Sequence, residues 1–209
     1  IRINDEIAVD FKVTTAEGTR RIARAAFDYA KENGKKKVSI VTKANILKKT
    51  DGDFQKICLE IAKDYPEIET DCWFVDIMAA NLVNKEIRNS FEVFILPNLY
   101  GDIITDEAAQ IQGGVGTAGS ANIGSRYAMF EAVHGSAPRM VEEGIEDLAN
   151  PASLMTAAVM LLRHIGYYDK AKKLETAILY ANDKVGSRMT GTAGGGSAVE
   201  FASLVKDLL

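Results

Sequence analysis

The feature that most constrains the fold is an alternation of short apolar runs with amphipathic helical segments through the first half of the chain. After an extended stretch at residues 6–14, Ile22, Ala23, Ala26, Phe27 and Ala30 place one apolar stripe on a helix closed by Gly34, with Thr14 and Glu17 fitting a capping box at its start. Residues 38–42, Val-Ser-Ile-Val-Thr, read as a buried strand, followed by a polar turn and a helix whose buried face is Phe54, Ile57, Cys58, Ile61 and Tyr65. The order continues with a strand at 72–75, a helix from 77 to about 86, a strand at 91–96 and a helix from about 102 to 112. Such alternation implies an α/β fold with a largely parallel sheet.

Residues 113–124 are rich in Gly, Ala and Ser and carry no charge, so the backbone there is expected to approach something closely, and the domain boundary falls here. The expected division is 1–112 and 113–209. The second part opens with a strand at 127–133. Three helical segments follow, with Leu174, Ala177, Ile178 and Ala181, then Phe201, Leu204, Val205 and Leu208, marking buried faces. With 209 residues the chain can support one large domain or two small ones.

Composition narrows the function. Lys and Arg number 25 against 29 Asp and Glu, a net charge of −4, and no basic face is clustered enough for dedicated nucleic-acid binding. Residues 148–162 form the most apolar uncharged segment, but they include Asn150 and Pro151 and are too short to span a bilayer, so a soluble protein is expected. The 2 cysteines, Cys58 and Cys72, cannot build a disulfide framework or a four-ligand zinc site; both read as buried thiols in a reducing compartment.

Gly114-Val115-Gly116-Thr117-Ala118-Gly119 satisfies G-x-G-x-x-G, yet a helix precedes it where a dinucleotide fingerprint needs a strand, and an irregular segment follows where it needs a helix. It is rejected as a Rossmann motif. The glycine cluster at 191–196 lacks the Gly-Lys-Ser/Thr ending of a P-loop and reads as a flexible turn.

Chemistry-bearing residues gather after the strands. Asp102 and Asp106, four apart at a helix start, share one face, and two oxygen donors with open positions suit Mg²⁺ or Mn²⁺. The bland alternative is that acids in a first turn merely complement the helix dipole. Asp76 also follows a strand, where it could equally cap a helix, and Lys43 follows another, where it could exchange protons or simply be solvated. His134, in His134-Gly135-Ser136-Ala137-Pro138, could stack on or hydrogen-bond a base, although a lone loop histidine is more often structural. Asn150 before Pro151 reads as a cap, and His164 as a helix-end residue without a functional role.

Five segments together carry a resemblance: Val41-Thr42-Lys43-Ala44-Asn45-Ile46, Leu96-Pro97-Asn98-Leu99-Tyr100-Gly101-Asp102, Ala121-Asn122-Ile123-Gly124, Glu131-Ala132-Val133-His134-Gly135-Ser136-Ala137-Pro138 and Ala149-Asn150-Pro151. In order and spacing they resemble the isocitrate/isopropylmalate dehydrogenase family, from about Glu17 to the C-terminus. The resemblance implies a two-domain α/β/α sandwich unrelated to Rossmann folds. It also implies oxidation of a 2-hydroxy acid by NAD or NADP, followed by decarboxylation with a bound Mg²⁺ or Mn²⁺. Asp102 and Asp106 would be metal ligands from one subunit and Asp76 a ligand from its neighbour in a homodimer with a shared active site. Lys43 resembles the catalytic lysine, working with a tyrosine in proton transfer and reaching across the dimer, and the resemblance counts Asp76 as catalytic as well as a metal ligand. Asn45 resembles a residue near the nicotinamide, and His134, Gly135, Ser136, Ala137 and Asn150 match the loop that holds the adenosine half. Arg139 stands where an acid would select ribose hydroxyls and a base a 2′-phosphate, but Met140 does not complete the usual NADP pair, and Arg188 would be a further residue able to reach a phosphate.

The run from Lys43 to Gly52 is similar to isocitrate dehydrogenases, making isocitrate the expected substrate, with isopropylmalate, homoisocitrate and tartrate as alternatives. A non-catalytic regulatory subunit of the family is a competing reading, against which the joint presence of Lys43, Asp76, Asp102 and Asp106 argues. The family's opening strand, substrate-binding arginines, serine region and tyrosine do not precede Ile1, so the resemblance implies an N-terminally incomplete chain holding the end of the clasp, most of the small domain and the later part of the large domain. It further implies a cytoplasmic protein, or a mitochondrial-matrix one in a eukaryote.

Overall fold

The computed structural model describes residues 1–114, 116–192 and 194–209; Val115 of the rejected glycine motif and Ala193 of the second glycine cluster lie outside the described residues. The chain forms two compact units, Ile1–Glu107 and Ala108–Leu209.

The first unit is built on three parallel strands. Helix α1 (Ala16–Glu32) starts at Thr15, whose side chain accepts the Gly18 N–H, so the cap is Thr15 and not Thr14. It stops where Gly34, at φ +65°, lets Lys35 N–H reach the Ala30 carbonyl at 2.8 Å. Strand β1 (Lys37–Thr42) lies between β2 (Glu69–Phe74) and β3 (Val93–Ile95), in the order β2-β1-β3. Both pairings are parallel, with Ile40 opposite Cys72 and Ile95. Side chains alternate across a strand. Val38 and Ile40 therefore face a core made with Ala23, Phe27 and Ala30 of α1 and Phe54, Cys58 and Ile61 of α2 (Thr50–Ala62). Phe27 stacks on Tyr65 with ring centroids 5.0 Å apart, and burial of such an aromatic ring contributes about 2–3 kcal/mol.

Three expectations are corrected here. The second strand starts at Glu69 and ends at Phe74, so Val75 already belongs to α3 (Val75–Val83). Cys72 is exposed, because among the described residues β2 is an edge strand with a neighbour on one side only; Cys58 is buried, and desolvation pushes its thiol up to about 12. Helix α4 (Asn98–Ile111) begins four residues before Asp102, and the Pro97 carbonyl accepts the Tyr100 and Gly101 N–H groups at its start.

In the second unit, β4 (Gly119–Ile123) pairs antiparallel with β5 (Ala128–Ala132), from Gly119 opposite Ala132 to Ile123 opposite Ala128. Pattern reading expected an irregular segment at β4. Its Gly-Ser-Ala-Asn-Ile sequence has weak strand propensity, and pairing with β5 and packing on α6 (Ala152–His164) impose the conformation. Gly119 is required, since a Cβ there would lie 2.6 Å from the backbone nitrogen of Ala157. Helices α6, α7 (Tyr168–Val185) and α8 (Ala198–Asp207) close a core of Ala152, Val159, Ala171, Ile178, Ala181, Val185, Phe201 and Val205. A short helix α5 (Pro138–Glu142) follows β5. No described helix is long and apolar enough to cross a membrane.

Candidate active site

The C-terminal edge of the parallel sheet collects the reactive groups of the first unit. Lys43 is the first residue past β1 and Asp76 lies in the first turn of α3, two residues past β2; because Thr42 and Phe74 are register partners, the two side chains meet. Lys43 Nζ donates to Asp76 Oδ1 at 2.5 Å. The Lys43 ammonium, reinforced by the Asp76 and Ile77 backbone N–H groups at the start of α3, holds the Asp76 carboxyl below the usual carboxylate range. Lys43 Nζ also lies 6.0 Å from the centroid of the Phe74 ring.

Asp102 and Asp106 are exposed on α4, one turn apart, and neither enters an ion pair among the described residues. Their position within the helix removes the dipole explanation, since α4 carries no acid in its first turn and the dipole's effect fades beyond that turn. Two unpaired carboxylates on one face fit a hard divalent cation that keeps waters and open positions for substrate oxygens. Among the described residues no group of three His, Cys, Asp or Glu side chains gathers to hold a metal, so the chain does not bring Asp76 to the Asp102 and Asp106 pair. Asn45 is exposed in the turn after Lys43.

The second unit carries the remaining candidates. His134, Gly135, Ser136 and Ala137 form an exposed loop after β5, and His134 Nδ1 lies 2.8 Å from the Gly135 carbonyl oxygen. Ala137 sits at φ 46°, ψ 55°, a left-handed conformation costing about 1–2 kcal/mol for a residue with a Cβ, directly before Pro138 at the first position of α5. Strain of this kind at an exposed loop is a pointer to a binding role. Arg139 Nε donates to Glu143 Oε1 at 2.6 Å and is otherwise open to solvent; Arg188 similarly holds Glu200 at 2.6 Å. The Asn150 carboxamide oxygen accepts the Ala152 N–H at 3.0 Å and so caps α6. His164 ends α6 with its ring 5.4 Å from that of Phe130. The second glycine cluster folds back, with Gly196 N–H donating to the Arg188 carbonyl at 2.7 Å.

Pattern reading missed two buried groups beside these candidates. Asp51, in the first turn of α2, is fully buried. It accepts from Lys12 Nζ and, at 2.7 Å, from the Lys43 backbone N–H. Lys12 Nζ in turn lies 4.4 Å from the Tyr100 ring centroid and 3.4 Å from its hydroxyl. Burial alone would push the Asp51 carboxyl up, but Lys12, the Lys43 N–H and the neighbouring Tyr100 hydroxyl outweigh it and hold the group below the usual range. In the second unit, Ser153 is fully buried at the start of α6 and bonds to both Ala118 and Val133. A polar residue near a predicted helix start reads as a solvated cap, and no periodicity distinguishes the buried ones.

The isocitrate/isopropylmalate dehydrogenase family matches residues 1–206. The chain belongs to that family. It is 43% identical over 204 residues to the 3-isopropylmalate dehydrogenase of Archaeoglobus fulgidus, covering 98% of this chain and 61% of that protein. It is 50% identical over 166 residues to the NADP isocitrate dehydrogenase of Rickettsia prowazekii, covering 79% of this chain and 33% of that protein. The crystal structure of isocitrate dehydrogenase from Methylococcus capsulatus superposes with a TM-score of 0.85 at 41% identity, covering 95% of this chain and 58% of the other. Family membership accounts for the mixed α/β chain with its parallel sheet, and the glycine motif lies between α4 and β4, not between a strand and a helix as a Rossmann fingerprint requires. The chain spans between a third and about three-fifths of the length of these relatives.

Proposed function

We propose that this chain supplies the cation-binding and cofactor-binding parts of a decarboxylating dehydrogenase that oxidises isocitrate to 2-oxoglutarate with reduction of NAD or NADP. The observation that carries the reading is the Lys43–Asp76 pair at the sheet's C-terminal edge, in a family member that also keeps two unpaired carboxylates on α4. A divalent cation would supply charge stabilisation at the substrate's hydroxyl and carboxylate oxygens and at the enolate left after CO₂ departs, and the nicotinamide would accept the hydride. Asp102 and Asp106 would hold that cation from one subunit and Asp76 from the neighbour. Lys43 Nζ would carry the proton exchanged at the reacting hydroxyl, oriented by Asp76. Because Lys43 and Asp76 already pair within one chain, they would reach a neighbour's site as a unit.

A homodimer is part of this reading. Leu99 and Ile103, one turn apart on α4, and Ile77 and Val83 on α3 are exposed apolar residues of the kind a second copy would cover. On the cofactor side, His134 to Ala137 and Asn150 would hold the adenosine half, Asn45 would lie near the nicotinamide, and Arg139, once released from Glu143, would face the ribose. The protein would work as a cytoplasmic enzyme on a small hydroxy acid. Isopropylmalate is the second reading, because the Archaeoglobus protein named for it is 43% identical across 98% of this chain.

The test is an absorbance assay of nicotinamide reduction with Mn²⁺, run on the intact protein carrying this chain, crossing isocitrate and isopropylmalate with NAD and NADP. Turnover with isocitrate is expected. Turnover confined to isopropylmalate moves the assignment to the second reading, and absence of turnover with either, while Mn²⁺ still binds, refutes both.

A further inference from the structure

We propose that Asp51 is a positioning residue for Lys43, a buried carboxylate that fixes the lysine's backbone so that Nζ is presented at the sheet edge. The inference rests on the reading of Lys43 as the proton-transfer group and goes beyond it in naming what holds that group in place.

Two acids, Asp51 and Asp53, stand in the first turn of α2, where the helix dipole favours either. That interaction requires no burial, and Asp53 obtains it while exposed. Asp51 instead has no solvent exposure, and burying a carboxylate costs several kcal/mol unless its lone pairs are satisfied. They are satisfied by groups from three parts of the first unit. Lys12, from the extended stretch before α1, bonds Oδ1; the Thr50 hydroxyl lies 3.4 Å from the same oxygen; and the Lys43 N–H donates to Oδ2 at 2.7 Å. Tyr100, at the start of α4, backs the Lys12 ammonium.

The consequence falls on Lys43. Its N–H is held by Asp51, and its carbonyl accepts the Ile46 and Leu47 N–H groups, both at 2.9 Å. Thr42 is held as well, its hydroxyl donating to Gln55 Oε1 at 3.2 Å and accepting the Ala44 N–H at 3.3 Å. The peptide at which β1 ends is therefore pinned on both sides, and the long, flexible lysine side chain starts from one fixed backbone. Misplacing a reacting group by about 1 Å costs on the order of 100-fold in rate, which is what a pinned origin avoids.

Zero-length carbodiimide cross-linking of the 209-residue chain tests the proposal without turnover. The reagent activates the Asp76 carboxyl, Lys43 Nζ displaces the urea, and an amide forms with net loss of water; peptide mass spectrometry reads the yield. Lys37 and Asp71, 2.9 Å apart on β1 and β2, provide an internal control in the same sheet. The variant is Lys12→Met/Asp51→Leu, which leaves no buried charge unpaired. Its Lys43–Asp76 yield is expected to fall at least about fivefold, with the Lys37–Asp71 yield within about twofold of the parent, because only the anchor of the catalytic lysine is lost. An unchanged Lys43–Asp76 yield, or a parallel fall of both pairs, would overturn the proposal. In the intact enzyme the same variant is expected to lower kcat about tenfold or more with little change in KM. A parent enzyme without turnover would refute the proton-transfer reading, and the cross-link comparison would still decide the positioning.

Discussion

Removing the Ser153 hydroxyl tests whether one buried side chain holds the loop that the proposed cofactor would occupy. The β4–β5 ladder ends at the Gly119–Ala132 pair. One residue further out, Ser153 Oγ donates to the Ala118 carbonyl and accepts the Val133 N–H at 3.1 Å, so the hydroxyl provides the next rung just before the chain leaves for His134. Ser153→Ala breaks both bonds while creating almost no cavity. Each bond contributes about 1 kcal/mol net, and a buried partner left without one costs a further 1–3 kcal/mol or so. Ala118 and Val133 are only half-buried, so water replaces part of the loss, and the expected destabilisation is roughly 2–3 kcal/mol. For a cooperative unit of about 100 residues, each 1 kcal/mol moves the melting midpoint by about 4–8 °C. Urea and thermal denaturation followed by circular dichroism would read the loss, and titration with dinucleotide on the intact enzyme would read the loop. Affinity should weaken roughly three- to tenfold, because the binding-competent loop becomes a minor population. A loss below about 0.5 kcal/mol would refute the role of the rung. A full loss of stability with unchanged dinucleotide affinity would refute its connection to the His134 loop.

Asp102→Asn should leave unfolding stability within about 0.5 kcal/mol of the parent, since the side chain is exposed, but abolish the thermal shift produced by Mn²⁺ and most turnover; retained Mn²⁺ stabilisation would refute the ligand assignment. Arg139→Glu should shift the kcat/KM ratio of the intact enzyme toward NAD, because an acid accepts ribose hydroxyl bonds and repels a 2′-phosphate; an unchanged ratio would remove Arg139 from the site. Asp51, held below the carboxylate range in the folded state, contributes stability that is complete above its unfolded value and is lost as pH falls through the folded one. Acid unfolding below about pH 4 should therefore be less steep in Lys12→Met/Asp51→Leu than in the parent, measured by fluorescence at fixed ionic strength.

What could be read from the sequence follows from where information is local. The helices α1 and α2 declare themselves because their buried positions recur with a fixed period and α1 carries its own stop signals, as at Gly34, and β1 declares itself as a short run of consecutive buried residues. The parallel sheet followed from the order of those elements. Strand β4 did not, because nothing within Gly-Ser-Ala-Asn-Ile favours a strand until β5 and α6 are placed against it. Cys72 was misjudged for a related reason, since its apolar neighbours in sequence cannot reveal that β2 is an edge. Lys43, Asp76, Asp102 and Asp106 were visible as polar residues after strands, whereas Asp51 and Ser153 were invisible because burial, not residue type, gives them their roles.

The strand order also accounts for how the reactive groups divide. Because β1 and β2 are neighbours in register, whatever follows them lies side by side, and Lys43 and Asp76 form a pair without any further contact. The connection from β2 to β3 crosses to the far side of β1, so Asp102 and Asp106, on the helix after β3, start from the opposite flank of the sheet. On the proposed reading a cation centre with three carboxylates therefore requires a second copy, and dimer formation and metal affinity should be coupled. Dilution of the intact enzyme should weaken Mn²⁺ binding in parallel with dissociation, followed by analytical ultracentrifugation and metal titration at matched concentrations. Mn²⁺ affinity that stays constant as the protein passes from dimer to monomer would show that Asp102 and Asp106 suffice, and would remove Asp76 from the metal site.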